Sequence, residues 1–485
     1  MTHPLPVFDR RRAGVLLHPT SLPDAAHGAL GQAARSFIDW LVMGGFSVWQ
    51  VLPLGPVGAD RSPYFARSNH AGDPGLVDLA TLAHAGLLDP LLLGERSRAQ
   101  LLALAAQRLA ASGGEPAAAF ARFREQAGHW LPDFSLYTAL QARAGGLPWW
   151  EWPEPLRARE PQALAAARAE LAALIIEIEA GQFFFHSQWR ALRAYAAARG
   201  VRLFGDLPIY LAPDSVETWA HPELFQLDAT GHTTAVAGVP PDYFSADGQL
   251  WGNPLYAWEV HEQTGFAWWV ERLRAQIDLY DLVRIDHFRG LEAYWAVPAG
   301  ARTAATGTWR LAPGDALLRR LRESLGTLAV VAEDLGVITP EVERLRDDFG
   351  LPGMRVLQFG LDGESGNLHA PHRWVARSIA YSGTHDNDTT GGWFAQLPPQ
   401  LQHSVCEYVD APSERVVPAI ARTVLASVSD LAVLPMQDLL GLGTEGRMNL
   451  PGTTDGNWAW RFEWPQVPAG LAGRYRRWNE LYGRA

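Results

Sequence analysis

Cysteine is almost missing from this sequence: of 485 residues only Cys406 carries a thiol. An intrachain disulfide is therefore excluded, a thiolate zinc site is not expected, and a reducing compartment suits the chain best. Long apolar runs are missing too. None approaches the roughly eighteen residues of a membrane helix, and Met1 to Arg12 holds charge where a secretion signal has its apolar stretch. There is no long basic run, and the formal net charge of −11 speaks against nucleic acid or an anionic membrane as a partner. No glycine-rich phosphate loop follows an apolar run, and no His-x-x-x-His spacing suggests zinc. Asp386-Asn387-Asp388 lacks the later glycine and distal glutamate of a calcium loop. A cytoplasmic protein with no metal is expected.

What is present points to a large core and to sugar. Hydrophobic residues make up 48% and charged ones 19%, so burial rather than disorder is expected. Tryptophan numbers 20. Most of these rings belong in the core, but several lie in polar loops rich in glycine and proline, where a flat face is more useful against a sugar ring.

The stretch from Asp281 to Gly290 sets the frame. Leu282, Val283 and Ile285 suit a buried parallel strand, and Arg284, Asp286, His287 and Arg289 crowd its end. A charged helix end or a surface ion-pair cluster would give the same letters. Read as a strand, it turns Arg284 and Asp286 to the same side, where the guanidinium favours an ionised carboxylate. Two other apolar runs end alike: Leu328 to Gly336 in Glu333-Asp334, and Ser378 to Thr389 in His385-Asp386. About fifty residues separate each carboxylate from the next, room for one or two helix-plus-strand units. Strand ends in register would bring three acids to one barrel face, as glycosidic bond chemistry requires.

Five more strands complete the count: Gly14 to Pro23, Ser47 to Pro53, Val201 to Tyr210 (ending near Asp206), Met354 to Phe359, and Asp430 to Asp438. Helices are predicted over Ala33 to Met43, Phe183 to Arg199, Phe266 to Leu279 and Asp315 to Leu325. Strand alternating with helix eight times is an α/β fold, a (β/α)8 TIM barrel with large insertions at the C-terminal face of its strands. Residues 1–485 read as one catalytic barrel, 56–182 as a mostly helical insertion after the second strand, and 207–265 as a lid or loop insertion after the third. Within the latter, Ala235 to Leu255 reads as one long loop of aromatics and amides over the barrel mouth. Trp149, Trp150 and Trp152 read as a hydrophobic anchor. Tyr64, in a loop rich in breakers, is as suited to packing as to touching a ligand.

Together the motifs Arg-Ile-Asp-His-Phe-Arg-Gly (284–290), Ala-Glu-Asp-Leu-Gly (332–336), Gly-Thr-His-Asp-Asn-Asp-Thr (383–389), Pro-Pro-Asp-Tyr-Phe-Ser (240–245) and Trp-Gly-Asn-Pro-Leu-Tyr (251–256) resemble the amylomaltases. These are bacterial 4-α-glucanotransferases, also called disproportionating enzymes, of the α-amylase clan. The likeness runs from His-Pro-Thr-Ser-Leu-Pro (18–23) to Arg-Met-Asn (447–449). It implies Asp286 as nucleophile, Glu333 as general acid/base and Asp386 as stabiliser of the transition state. It further implies that Arg284 orients the nucleophile, His385 bonds the sugar, Asp206 supports the site, Trp251 and Asn253 lie on a lid over the acceptor subsites, and Tyr64 lies near the glucan. The chain departs from the pattern at Phe65, where glutamine is usual, and at Asp73, where asparagine is usual.

The resemblance also implies a reaction without organic cofactor or catalytic metal. An α-1,4-glucan segment passes to the 4-hydroxyl of an acceptor glucan or glucose by retaining double displacement through a glycosyl-aspartate, with the two reacting carboxyls about 5–5.5 Å apart. Malto-oligosaccharides, amylose, glycogen and glucose are the expected partners of a monomer or weak dimer. On the residues alone an α-glucan hydrolase, or a glycan-binding protein on an inert barrel, stays open.

Overall fold

The computed structural model describes residues 7–58, 60–241, 247–364 and 366–485. Eight strands form one parallel sheet: β1 (Arg12–Leu16), β2 (Val48–Gln50), β3 (Arg202–Leu207), β4 (Leu282–Ile285), β5 (Val330–Ala332), β6 (Gly353–Val356), β7 (Ser378–Tyr381) and β8 (Leu431–Pro435). They pair in chain order, with β8 returning to β1. Between β5 and β6 the gap is bridged where the Ala332 N–H donates to the Pro352 carbonyl at 2.9 Å. A parallel sheet covered on both faces must be apolar throughout, and nearly every position of these strands is buried.

The period of two sorts the strand residues. Leu16, Val48, Phe204, Leu282, Val331 and Met354 fill the barrel interior. One step further along, the inward positions turn polar: the Tyr381 hydroxyl donates to Gln50 Oε1 at 2.9 Å, and Arg284 meets Asp206. The apolar layers thus form a floor, and the polar ends stand at the rim where the loops begin.

The sixth strand is shorter than its apolar run suggested. Its pairing with β7 ends at Val356 opposite Tyr381, and Leu357–Gly360 turns into a short helix. Between β2 and β3 the chain is helical, with Arg98–Ala111, Gly114–Gln126 and Leu131–Arg143 packed on one long helix, Ala172–Ala197. That helix runs unbroken through Gln182, because between Ala172 and Ala197 there is no proline and a single glycine, Gly181. Trp149 and Trp152 are buried; the Trp149 indole N–H donates to the Pro213 carbonyl at 3.1 Å, and Trp152 lies edge-on to Trp219. They anchor the helical region to the segment that follows β3.

Residues 235–255 are not one loop. Ala235–Val239 and Gln249–Pro254 pair antiparallel and join Ala293–Pro298 and Thr308–Leu311, from after β4, in a four-stranded sheet beside the barrel mouth. One partner of Ala235–Val239, Gln249–Pro254, is near in sequence; the other, Ala293–Pro298, lies too far along the chain for any local pattern to reveal it. Of the motif at 240–245, residues 242–245 lie outside the described residues.

At the opposite end of the barrel Arg484 is fully buried, and its guanidinium donates to the carbonyls of Arg12, Leu425, Ser427 and Ser429 at 2.6–2.9 Å. The sequence contains no lysine, so every one of its 41 basic residues apart from histidine is an arginine.

Candidate active site

Alternation along β4 carries Arg284 into the barrel, and Asp286 follows on the same side two residues later. Arg284 is buried and bridges two acids. Its Nη1 donates to both carboxylate oxygens of Asp206, at 2.9 and 2.7 Å, and its Nη2 to Asp286 Oδ1 at 2.7 Å. Asp206, at the inward end of β3, has no exposed side-chain surface. The pair costs desolvation on both sides, but the guanidinium has a carboxylate on each of its terminal nitrogens, so neither charge is left unmatched.

Glu333 follows β5, the neighbour of β4. Its N–H donates to the Ile285 carbonyl, and its own carbonyl accepts from the Phe288 N–H, so the two loops interlock. Its carboxyl accepts from two backbone groups: the His287 N–H at 2.6 Å on Oε2 and the Leu335 N–H at 2.9 Å on Oε1. Asp386 comes from the loop after β7. Its Oδ1 accepts from Asn449 Nδ2 at 2.6 Å, and Oδ2 lies 3.2 Å from His385 Nε2. Arg447 donates to its carbonyl at 2.9 Å.

Tyr64 links the halves of the site. Its hydroxyl donates to Asp206 Oδ2 at 2.7 Å while its ring stacks on His385, 5.0 Å between centroids. Trp458 leans on both rings from a left-handed backbone position. Trp251 meets the His287 ring edge-on at 4.7 Å. Asn253 stands apart from the carboxyls: it is buried, and its amide nitrogen donates to the Leu211 carbonyl. Of the two departures noted in the loop after β2, Asp73 closes a turn by accepting from the Gly75 N–H.

The three carboxyls are tuned apart. Burial pushes Glu333 up to about 8; Arg284 pulls it back, the charge of Asp286 adds to the rise, and the two backbone N–H bonds oppose it. Burial also raises Asp286, to about 6, with Arg284 opposing and Asp206 and Asp386 adding to the rise. So the guanidinium beside Asp286 restrains its proton affinity without bringing it below that of an ordinary aspartate. Burial works to raise Asp386 as well, but His385, Asn449 and Arg284 outweigh it and hold the carboxyl well below the usual range. At neutral pH the site therefore holds one protonated carboxyl and two ionised ones.

Asn449, Arg447 and Trp458 are functional candidates that sequence reasoning left without a role. The Arg-Met-Asn triplet stood out as a motif, but nothing in its spacing ties it to an acid about sixty residues away.

A parallel barrel with ionised and protonated carboxyls on adjacent strand ends, walled by aromatic rings, defines an enzyme of the glycoside-hydrolase type. The comparisons narrow the class. Residues 17–466 match the family of glycoside hydrolase 77, 4-alpha-glucanotransferase, and the chain belongs to that family. It is 49% identical to the 4-alpha-glucanotransferase of Thermus thermophilus over 93% of this chain and 94% of that protein. The Synechocystis 4-alpha-glucanotransferase is 44% identical, with 99% of each chain covered. The structure of the Streptococcus agalactiae amylomaltase in complex with acarbose superposes with a TM-score of 0.94 at 36% identity, covering 98% of this chain and all of that one. The resemblance read from the motifs is borne out: this is a transferase that moves α-glucan segments, working on a (β/α)8 barrel.

Proposed function

We propose that Asp286 is the nucleophile, Glu333 the general acid/base and Asp386 the stabilising carboxylate in transfer between α-1,4-glucans. The observation that carries this reading is the unequal surroundings of two carboxyls at adjacent strand ends: Asp286 is bonded to Arg284 at 2.7 Å and raised by burial only to about 6, while Glu333 is raised further, to about 8. Asp286 attacks the anomeric carbon, the bond to the leaving oxygen breaks, and Glu333 gives that oxygen its proton. The product is a glycosyl-aspartate and a shortened glucan. The ionised Glu333 then takes the proton of an acceptor 4-hydroxyl, whose oxygen displaces Asp286 and restores the starting enzyme. Asp386, fixed by Asn449 and His385, accepts from sugar hydroxyls as positive charge grows on the ring.

The acceptor must compete with water at about 55 M, so holding it in place has to supply several kcal/mol. In this reading the aromatic segment within 207–265, with Trp251, holds an acceptor sugar and excludes water. Substrates of this site are malto-oligosaccharides, amylose and glycogen, with glucose as the smallest acceptor; binding of acarbose by the S. agalactiae relative supports this choice.

A trapping experiment tests the assignment. Glu333→Gln supplied with α-maltosyl fluoride, whose fluoride leaves without a proton, forms the ester but lacks the base to clear it. A maltosyl adduct on the peptide containing Asp286 is expected. An adduct on the Asp386 peptide would reverse the roles.

A further inference from the structure

His287 takes no part in the chemistry above, yet its conformation is unusual. It follows the nucleophile directly and adopts a left-handed backbone, φ 53°, a region that costs a residue with a β-carbon about 1 kcal/mol or more. The surroundings hold it there. Its carbonyl accepts from the Gly290 N–H at 2.9 Å, and the next residue, Phe288, bonds the Glu333 carbonyl. Gly290 leaves the space that the ring needs: a β-carbon there would stand 3.0 Å from His287 Cδ2 and 2.8 Å from Ile209 Cδ1.

The torsion about N–Cα decides where the ring lies relative to the N–H, and here each serves a different neighbour. The N–H donates to Glu333 Oε2 at 2.6 Å, and the ring packs edge-on against Trp251 at 4.7 Å. The ring's Nε2 is buried and has no hydrogen-bond partner among the described residues. An orphaned ring nitrogen beside a strained backbone is costly, and packing on Trp251 is the ring contact found to offset it.

We infer that His287 is a positioning residue that joins the lid to the acid/base, its ring seating Trp251 while its backbone N–H fixes Glu333. The inference rests on the reading of Glu333 as proton donor and goes beyond it in assigning what sets that carboxyl's surroundings. With Trp251 seated, His287 Nε2 and Glu333 are buried although the rest of the imidazole is partly exposed; with it gone, water reaches the carboxyl and the charged form is favoured. Arg284 and Asp286 face Glu333 from β4, Arg289 lies by His287 and bonds the Val337 carbonyl, and Asp334 is engaged with Arg346 and the Met354 N–H. The strand that carries Trp251, Gln249–Pro254, brings no charge. Burial keeps the His287 imidazole neutral, so it seats the indole without a buried cation.

The test is a double-mutant cycle read on the pH dependence of kcat/KM for maltotriose disproportionation. Trp251→Ala and His287→Gly, which keeps the left-handed backbone and the N–H, are each expected to move the basic limb down by about half a pH unit or more. Together they should move it no further than either alone. His287→Asn, also tolerant of φ above zero, should reproduce the shift and guards against a folding defect in the glycine variant. An unmoved limb in both His287 variants, or shifts that add in the double variant, would overturn the inference. The role of Glu333 itself is decided separately by the trapping experiment.

Discussion

With Asp286 as the proposed nucleophile and Glu333 as the proposed acid, the reaction needs the first without its proton and the second with one, so the two raised carboxyls set opposite limbs of a pH profile. Activity falls as pH drops through about 6, where Asp286 gains a proton, and as it rises through about 8, where Glu333 loses one. A bell between these limits in kcat/KM is expected, and a profile flat to pH 10 would contradict it. Asn449 holds only one oxygen of Asp386, so Asn449→Ala should lower kcat by about 10- to 100-fold and leave KM nearly unchanged. Steady-state kinetics with maltotriose reads both. Much of this was legible: a period of two along β4 puts Arg284 and Asp286 on one side, and the runs ending in Glu333 and Asp386 announce strand ends. The bond from Tyr64 to Asp206 and the bond from Asn449 to Asp386 were not, since each joins loops remote along the chain and no periodicity links them.

Among the elements, the segment after β3 also supports the loop after β2. Its short helix Val216–Ala220 places Glu217 beneath the loop that carries Tyr64, where Oε1 accepts from the Asn69 N–H at 2.6 Å. Burial raises Glu217 to about 7, the Asn69 bond and Arg272 opposing. An unfolded glutamate titrates near 4.3, so the native state binds the proton more tightly. This group's contribution to stability is therefore full below about 4.3, declines as pH rises toward about 7, and is constant above that. Glu217→Gln cannot ionise. Relative to wild type it should gain about 3 kcal/mol between pH 4 and pH 8, read by urea denaturation at the two values. A gain in the opposite direction would show that the carboxylate is well accommodated. The four-stranded sheet in this region escaped sequence reading because Ala235–Val239 pairs on one side with Ala293–Pro298, beyond β4, and only on the other with the nearby Gln249–Pro254. The Gly and Pro residues around it read as loop.

For the molecule as a whole, the eight barrel strands were readable because a doubly covered parallel sheet needs unbroken apolar runs. Closure of the ring was not, since it depends on the tilt of strands against one another. Arg484 is part of what holds the far end together. Arg484→Ala would strand several buried carbonyls at once, each worth about 1 kcal/mol or more, and the thermal midpoint should fall by several degrees with the active site unchanged. Scanning calorimetry with and without acarbose would check it.

The missing lysines bear on the medium in which the enzyme works. A free sugar aldehyde condenses with the ε-amine of lysine, and slow browning of proteins in syrup begins there. This polypeptide offers no such amine on any side chain. Its cations are guanidinium groups that stay protonated and do not add to an aldehyde under mild conditions. Long storage in concentrated glucose should therefore leave its side chains free of the Schiff bases that accumulate on lysine-bearing proteins.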